Sequence, residues 1–147
     1  MPNYSRRPIS GLDKQGFMKP RVLVADDDDG LRQLLRLILS REGFEVFEAA
    51  SGEQALALAV AVSPAIILLD VMMPGLDGYD VCRRLKNDKR TGDVPVVFVS
   101  AAEDIARRNE LHKLGAAACI QKPIGPRDLV SRINAVLNRR NGTVIVA

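Results

Sequence analysis

The sequence predicts an α/β domain built on a doubly wound parallel sheet, with helices on both faces. Two observations carry that prediction. From Arg21 onward, short runs rich in branched apolar residues alternate five times with longer segments of helical period. No tight hairpin turn joins one run to the next, so successive strands must be parallel and connected by crossover helices. At 147 residues and 47% hydrophobic content, the chain suffices for one such domain with tails and not for two.

The first strand is "RVLVA" (21–25). The segment "GLRQLLRLILSRE" (30–42) follows as a helix with Leu31, Leu34, Leu35, Ile38 and Leu39 on one stripe, and Gly43 supplies a left-handed stop. "FEVFEA" (44–49) alternates apolar and acidic residues, as a half-exposed strand near a sheet edge should. Ser51 with Gln54 three positions on is a capping box, opening an alanine-rich helix that runs to about Val62, just before Ser63-Pro64. Strand three is "AIILL" (65–69), with "GYDVCRRLKND" (78–88) as its helix. "VPVVFVS" (94–100) and "DIARRNELHKLG" (104–115) repeat the unit, and "AACIQ" (117–121) is strand five. Pro126 opens the last helix, which turns Leu129, Ile133, Val136 and Leu137 inward. Residues 1–19 read as a basic, flexible N-terminal extension, 20–138 as the domain, and 139–147 as a C-terminal tail or linker stub. Sequence leaves open whether either tail docks on the domain.

The net charge of +3 has one source. Residues 1–19 carry Arg6, Arg7, Lys14 and Lys19 against Asp13 alone, and the rest of the chain is neutral. A basic tail of this size is ordinarily a solvated terminus, so nucleic-acid binding is disfavoured. No apolar run approaches the length of a membrane span, and "MPNYSRRPIS" lacks the apolar centre of a secretory signal, so a cytoplasmic location is expected. Cys82 and Cys119 lack metal or redox spacing and read as reduced core residues. His112 has no ligand partner at metal spacing and reads as a surface residue or as a cation near a helix end.

In an open α/β sheet the ligand crevice lies beyond the carboxyl ends of the strands. Asp26 and Asp27 follow strand one, Asp70 follows strand three, Ser100 ends strand four, and Lys122 follows strand five. Three carboxylates, one hydroxyl and one ammonium therefore gather at one rim. Carboxylates so close repel one another unless a cation sits among them, and an all-oxygen set without histidine or thiolate suits Mg2+. With the charge balanced, Asp70 is an ionised nucleophile toward a phosphoryl group, and Ser100 and Lys122 can donate to its oxygens during in-line transfer. Taken singly, each of these residues has an ordinary structural reading. Asp28 and Asp29, for example, read as the cap and first turn of the first helix.

From about Arg21 to Asn138 the chain resembles the receiver domain of two-component response regulators. The resemblance rests on "VLVADD" (22–27), "LLDVMMPGLDG" (68–78), "VVFVSA" (96–101) and "QKP" (121–123), in order and at the family's intervals. It implies a flavodoxin-like five-stranded sheet of order 2-1-3-4-5. It also implies that Asp70 is the phosphoacceptor, Asp27 a direct Mg2+ ligand, Asp26 a ligand through water, and Met72 the donor of a backbone carbonyl to the metal. Ser100 falls at the switch hydroxyl, and Lys122-Pro123 at a peptide bond usually cis in the family. The implied partners are a sensor histidine kinase or histidine phosphotransfer protein, and a downstream target or effector domain reached through the α4-β5-α5 face. A homodimer through that face is a further option. In "MMPGLDG" Gly75 and Gly78 are expected to adopt backbone conformations barred to other residues, and Pro74 to stiffen the turn.

The chain departs from the family at Cys119, where many relatives carry an aromatic switch residue. A coupled ring rotation is therefore ruled out, and phosphorylation is expected instead to draw Ser100 toward Asp70 and to act through the loop from Ala101 to Asp104. Met72 and Ala102 flank the site without offering a base or amide to orient an attacking water, so the phosphoryl lifetime is expected to depend on the site itself or on a separate phosphatase. Three rivals remain. An aspartate-nucleophile hydrolase wants a second aspartate where Met72 stands. A nucleotide-binding module wants a glycine-rich loop after strand one. A degenerate receiver used only as a scaffold is opposed by the complete set of acceptor-site residues. A turnover enzyme is not expected.

Overall fold

The computed structural model describes residues 11–101 and 107–140. Five strands, β1 (Arg21–Ala25), β2 (Glu45–Ala49), β3 (Ile66–Leu69), β4 (Val96–Ser100) and β5 (Ala118–Gln121), form one sheet of order β2-β1-β3-β4-β5. Every adjacent pair is parallel. The described residues contain five helices: α1 (Asp29–Arg41), α2 (Gly52–Val62), α3 (Gly78–Asn87), α4 (Arg108–Lys113) and α5 (Pro126–Arg140). None is long and apolar enough to cross a membrane.

Strand residues alternate between the two faces of the sheet, and the core divides accordingly. Val22, Val24, Ile66, Leu68, Val97, Val99 and Ile120 pack with Leu35 and Leu39 of α1 and Leu129, Ile133 and Val136 of α5. Leu23, Ile67, Leu69, Val96, Phe98 and Cys119 point the other way, onto α2, α3 and Leu111 of α4. β1 and β3 are apolar at successive positions because they are buried on both faces. β2, at the edge of the sheet, is less buried, with Glu45, Phe47 and Glu48 only partly covered.

The helix signals act as expected, with two differences. Asp28 caps α1 by accepting from the Leu31 N–H at 3.1 Å, and Gly43 ends that unit at φ +92°. Ser51 Oγ accepts from the Gln54 N–H at 3.2 Å, but the return bond runs from the Ala50 N–H to Gln54 Oε1 at 2.8 Å, one residue outside the expected box. α4 is described only from Arg108, where residue 107 gives no side-chain cap bond; residues 102–106, including the expected start at Asp104, lie outside the described residues.

Within the stretch expected to be an extension, residues 11–19 close a small hairpin. Leu12 pairs with Met18, and Asp13 Oδ1 accepts from the N–H groups of Gln15 and Phe17 at 2.9 and 2.8 Å. Gly11, at φ +86°, is seated so close to β2 that a Cβ would meet Glu45 Oε2 at 2.8 Å. Residues 1–10 and 141–147 lie outside the described residues.

Candidate functional site

The order β2-β1-β3 places β1 and β3 side by side at the point where the winding reverses, so the segments leaving them share one crevice. Asp26 and Asp70 are anchored there by main-chain bonds. The Asp26 N–H donates to the Ala49 carbonyl at 3.1 Å, and the Asp70 N–H to the Ala25 carbonyl at 3.0 Å. β4 brings Ser100 from the next strand, and Lys122 arrives from the end of β5, ahead of a cis Lys122–Pro123 bond.

These groups meet. Oxygen atoms of Asp26, Asp27 and Asp70 lie within 4.8 Å of one another. Asp26 and Asp70 are buried, whereas Asp27 is exposed and makes no side-chain hydrogen bond to a described residue. Asp70 Oδ1 accepts from Ser100 Oγ at 2.6 Å and from the Met72 N–H at 3.3 Å. Lys122 Nζ bridges two carboxylates, donating to Asp26 Oδ2 at 2.8 Å and to Asp70 Oδ2 at 3.2 Å. The Asp28 N–H donates to the remaining Asp26 oxygen at 2.9 Å.

The electrostatics follow from burial and crowding. Burial pushes the Asp26 carboxyl above its ordinary range and the charge of Asp70 adds to the rise, while the bonds from Lys122 and the Asp28 N–H oppose it. For Lys122, burial works against the charged form. The hydrogen bond to Asp26 and the charges of both aspartates outweigh it and hold the ammonium above its ordinary value. One ammonium thus faces three carboxylates. The donors are hard oxygens, one of them exposed and uncommitted, and their combined charge exceeds what Lys122 neutralises; this set fits a hard divalent cation.

Two expectations change on contact with the geometry. Ser100 need not be drawn to Asp70, since its hydroxyl already rests on that carboxylate, fully buried. Gly75 does adopt the left-handed region, at φ +76°, but Gly78 does not; it is needed for closeness, since a Cβ there would sit 2.2 Å from the Asp70 carbonyl oxygen. Cys119 is buried in β5 beside Phe98, and Ala102 lies outside the described residues. His112 is exposed, with Nδ1 3.3 Å from the Ala116 carbonyl.

Sequence reasoning missed Arg32. Its Nη1 donates to the Asp26 carbonyl at 2.7 Å, its Nη2 pairs with Asp29, and its Nε lies 3.6 Å from Glu48 on β2. It ties the acidic turn to α1 and to the sheet edge. The available signal was a lone cation one turn into a helix opened by consecutive aspartates.

A doubly wound sheet with a carboxylate cluster at its switch point defines the class of the molecule. Residues 22–134 match the family described as the response regulator receiver domain, and the chain belongs to that family, the phosphoacceptor modules of two-component signalling. Receiver domains bind Mg2+ at an acidic pocket, and Asp26, Asp27 and Asp70 form an acidic cluster here. Among similar proteins, the "Probable transcriptional regulator ycf27" of Guillardia theta is 42% identical over 130 residues, which is 88% of this chain and 50% of that protein. The "Transcriptional regulatory protein SrrA" of Staphylococcus aureus is 38% identical over 128 residues, covering 87% of this chain and 52% of that one. The chain therefore spans about half the length of these regulators. A putative response regulator from Chloroflexus aurantiacus superimposes with a TM-score of 0.77 at 37% identity, covering 82% of this chain and all of that one. The chemotaxis protein CheY4 of Vibrio cholerae gives 0.76 at 27% identity, covering 80% of this chain and 98% of that one.

Proposed function

We propose that Asp70 accepts a phosphoryl group from a phosphohistidine on a sensor kinase or phosphotransfer protein. An Asp70 oxygen forms a bond to phosphorus as the donor's nitrogen–phosphorus bond breaks, leaving an aspartyl phosphate. Asp27 would hold Mg2+ directly, Asp26 through water, and Met72 through its carbonyl. When bound, the ion supplies charge stabilisation at the phosphoryl oxygens. Lys122 already donates to Asp70 Oδ2 at 3.2 Å and is positioned to pass one of its N–H donors to the incoming phosphoryl group. Ser100 does the same from the other side, exchanging a carboxylate acceptor for a phosphoryl oxygen. This exchange starts from a Ser100 already in contact with Asp70, where the sequence led to the expectation that phosphorylation draws it there.

The observation that carries the reading is a buried Asp70 held at once by a hydroxyl, an ammonium and a backbone N–H, beside two further carboxylates. Leu34, which the sequence groups with the apolar stripe of α1, is exposed, and with exposed Leu37 it leaves apolar surface on the helix that starts at the rim, which supports a protein as donor. The output would pass through the α4-β5-α5 face to a target or effector domain, within the cytoplasm and without turnover of an external substrate. Residues 20–138 would form the module, with the N-terminal hairpin as a docked arm. Incubation with acetyl phosphate and Mg2+ is expected to add the mass of one phosphoryl group, mapped to Asp70. Addition to Asp70→Asn, or none to the parent protein, would overturn the assignment and favour a scaffold.

A further inference from the structure

Four aspartates in a row, Asp26 to Asp29, run from the end of β1 into the first turn of α1, and Arg32 is folded back against them. A guanidinium near the start of a helix sits at the positive end of the helix dipole, and burying it costs solvation. Arg32 meets both costs, with a side chain only 12% exposed. Three contacts offset them. Nη1 donates to the Asp26 carbonyl at 2.7 Å, Nη2 donates to the Asp29 carboxylate, and Nε lies at ion-pair distance, 3.6 Å, from Glu48 of β2. Glu48 is held in turn by Arg36 Nη1 at 2.8 Å. A planar guanidinium fork can serve three directions at once, which a single ammonium cannot.

The Asp26 carbonyl belongs to the rigid peptide that also carries the Asp27 nitrogen and Cα, so a fixed carbonyl fixes where the Asp27 side chain leaves the backbone. The Asp27 carboxylate is exposed and makes no side-chain hydrogen bond to a described residue, so its direction follows from the main chain. The Asp28 N–H also braces this turn, but through Asp26 Oδ1, and Lys122 takes up Asp26 Oδ2 and Asp70 Oδ2. Both braces engage oxygens of the acidic cluster. The bond from Arg32 to the Asp26 carbonyl holds the same turn and draws on none of the cluster's carboxylate oxygens.

We infer that Arg32 is a positioning residue for the cation site, aiming the Asp27 carboxylate by locking the Asp26–Asp27 peptide to α1 and to β2. The inference rests on Asp27 serving as a metal ligand in the function proposed above. The sign of the effect separates position from charge. By charge alone, a guanidinium beside a cation site repels the cation, and its removal strengthens binding. A guanidinium that orients a ligand has the opposite effect, and its removal weakens binding tenfold or more, as is usual for groups that hold metal ligands in place.

The test is calorimetric titration of the 147-residue chain with Mg2+, with no phosphoryl donor present. Arg32→Met is expected to weaken Mg2+ binding about tenfold or more, although it removes a positive charge. Arg32→Lys keeps the charge and loses the fork, and a smaller loss of about threefold is expected; this variant carries the test should Arg32→Met fail to fold. Val136→Ala, in a core layer about 15 Å along α5 from its start, reports what lost stability alone does, and is expected to bind Mg2+ like the parent. Unchanged or tighter binding in the folded Arg32 variants overturns the inference, and so does an equal loss in Val136→Ala. A parent chain that binds no Mg2+ overturns the ligand set itself. A parent that binds the ion, with Arg32 variants that bind it equally well, leaves the ligand set standing, so the two readings fail separately.

Discussion

Lys122 donates to Asp26 and Asp70 at once, and that bridge gives the residue two opposed functions. As a counter-charge it lets two buried carboxylates stay near each other, and as a cation it competes with any metal for the same oxygens. The two effects separate in Lys122→Met. Acetyl phosphate transfer to Asp70 is expected to slow by about a hundredfold, the usual loss for one preorganised donor at a developing charge. Mg2+ binding, followed by calorimetry, is expected to persist because its competitor is gone. Loss of both together would mean that Lys122 holds the site's shape and not its charge. Arg32 acts at the same scale but from behind, through the Asp26 carbonyl and not its carboxylate.

At the scale of elements, the β3–α3 connection is the most constrained piece near the site. The Gly78 N–H donates to the Val71 carbonyl at 2.8 Å, Asp77 caps α3 by accepting from the Asp80 N–H at 2.9 Å, and Gly52 of α2 leaves room for the Leu76 carbonyl. Any side chain at Gly78 must push against the Asp70 backbone. Gly78→Ala is expected to cost about 1–3 kcal/mol in urea unfolding, as overpacking does. It should also lower Asp70 phosphorylation, because the displaced atom belongs to the acceptor residue. Gly30→Ala is the matched control: its Cβ would meet only Asp28 Oδ1 at 3.4 Å, and a neutral or mildly stabilising effect is expected. Equal effects at the two glycines would refute the account of close approach.

For the whole molecule, the acidic rim is a place where folding and ligand binding are coupled. A cation that binds only the assembled cluster stabilises the fold by mass action, by about 2.7 kcal/mol at a hundredfold excess over its dissociation constant. Thermal unfolding is therefore expected to shift upward with Mg2+. Asp27→Asn, at an exposed position, should abolish most of the shift while leaving the metal-free midpoint nearly unchanged. An unchanged shift would remove Asp27 from the ligand set. The remaining stability comes from the two apolar layers.

The sequence by itself determined the order of elements, the caps of α1 and α2 and the residues that end each strand, because period, turn chemistry and burial on two faces are local or pairwise properties. β2 could be read as lying near an edge from the glutamates among its apolar residues, and Asp28 as a cap from its place before a leucine stripe. Arg32, the close approach at Gly78, the hairpin of residues 11–19 and the resting contact of Ser100 on Asp70 were not legible. Each depends on which atoms the parallel sheet brings face to face across long stretches of chain, and only the folded arrangement fixes those distances.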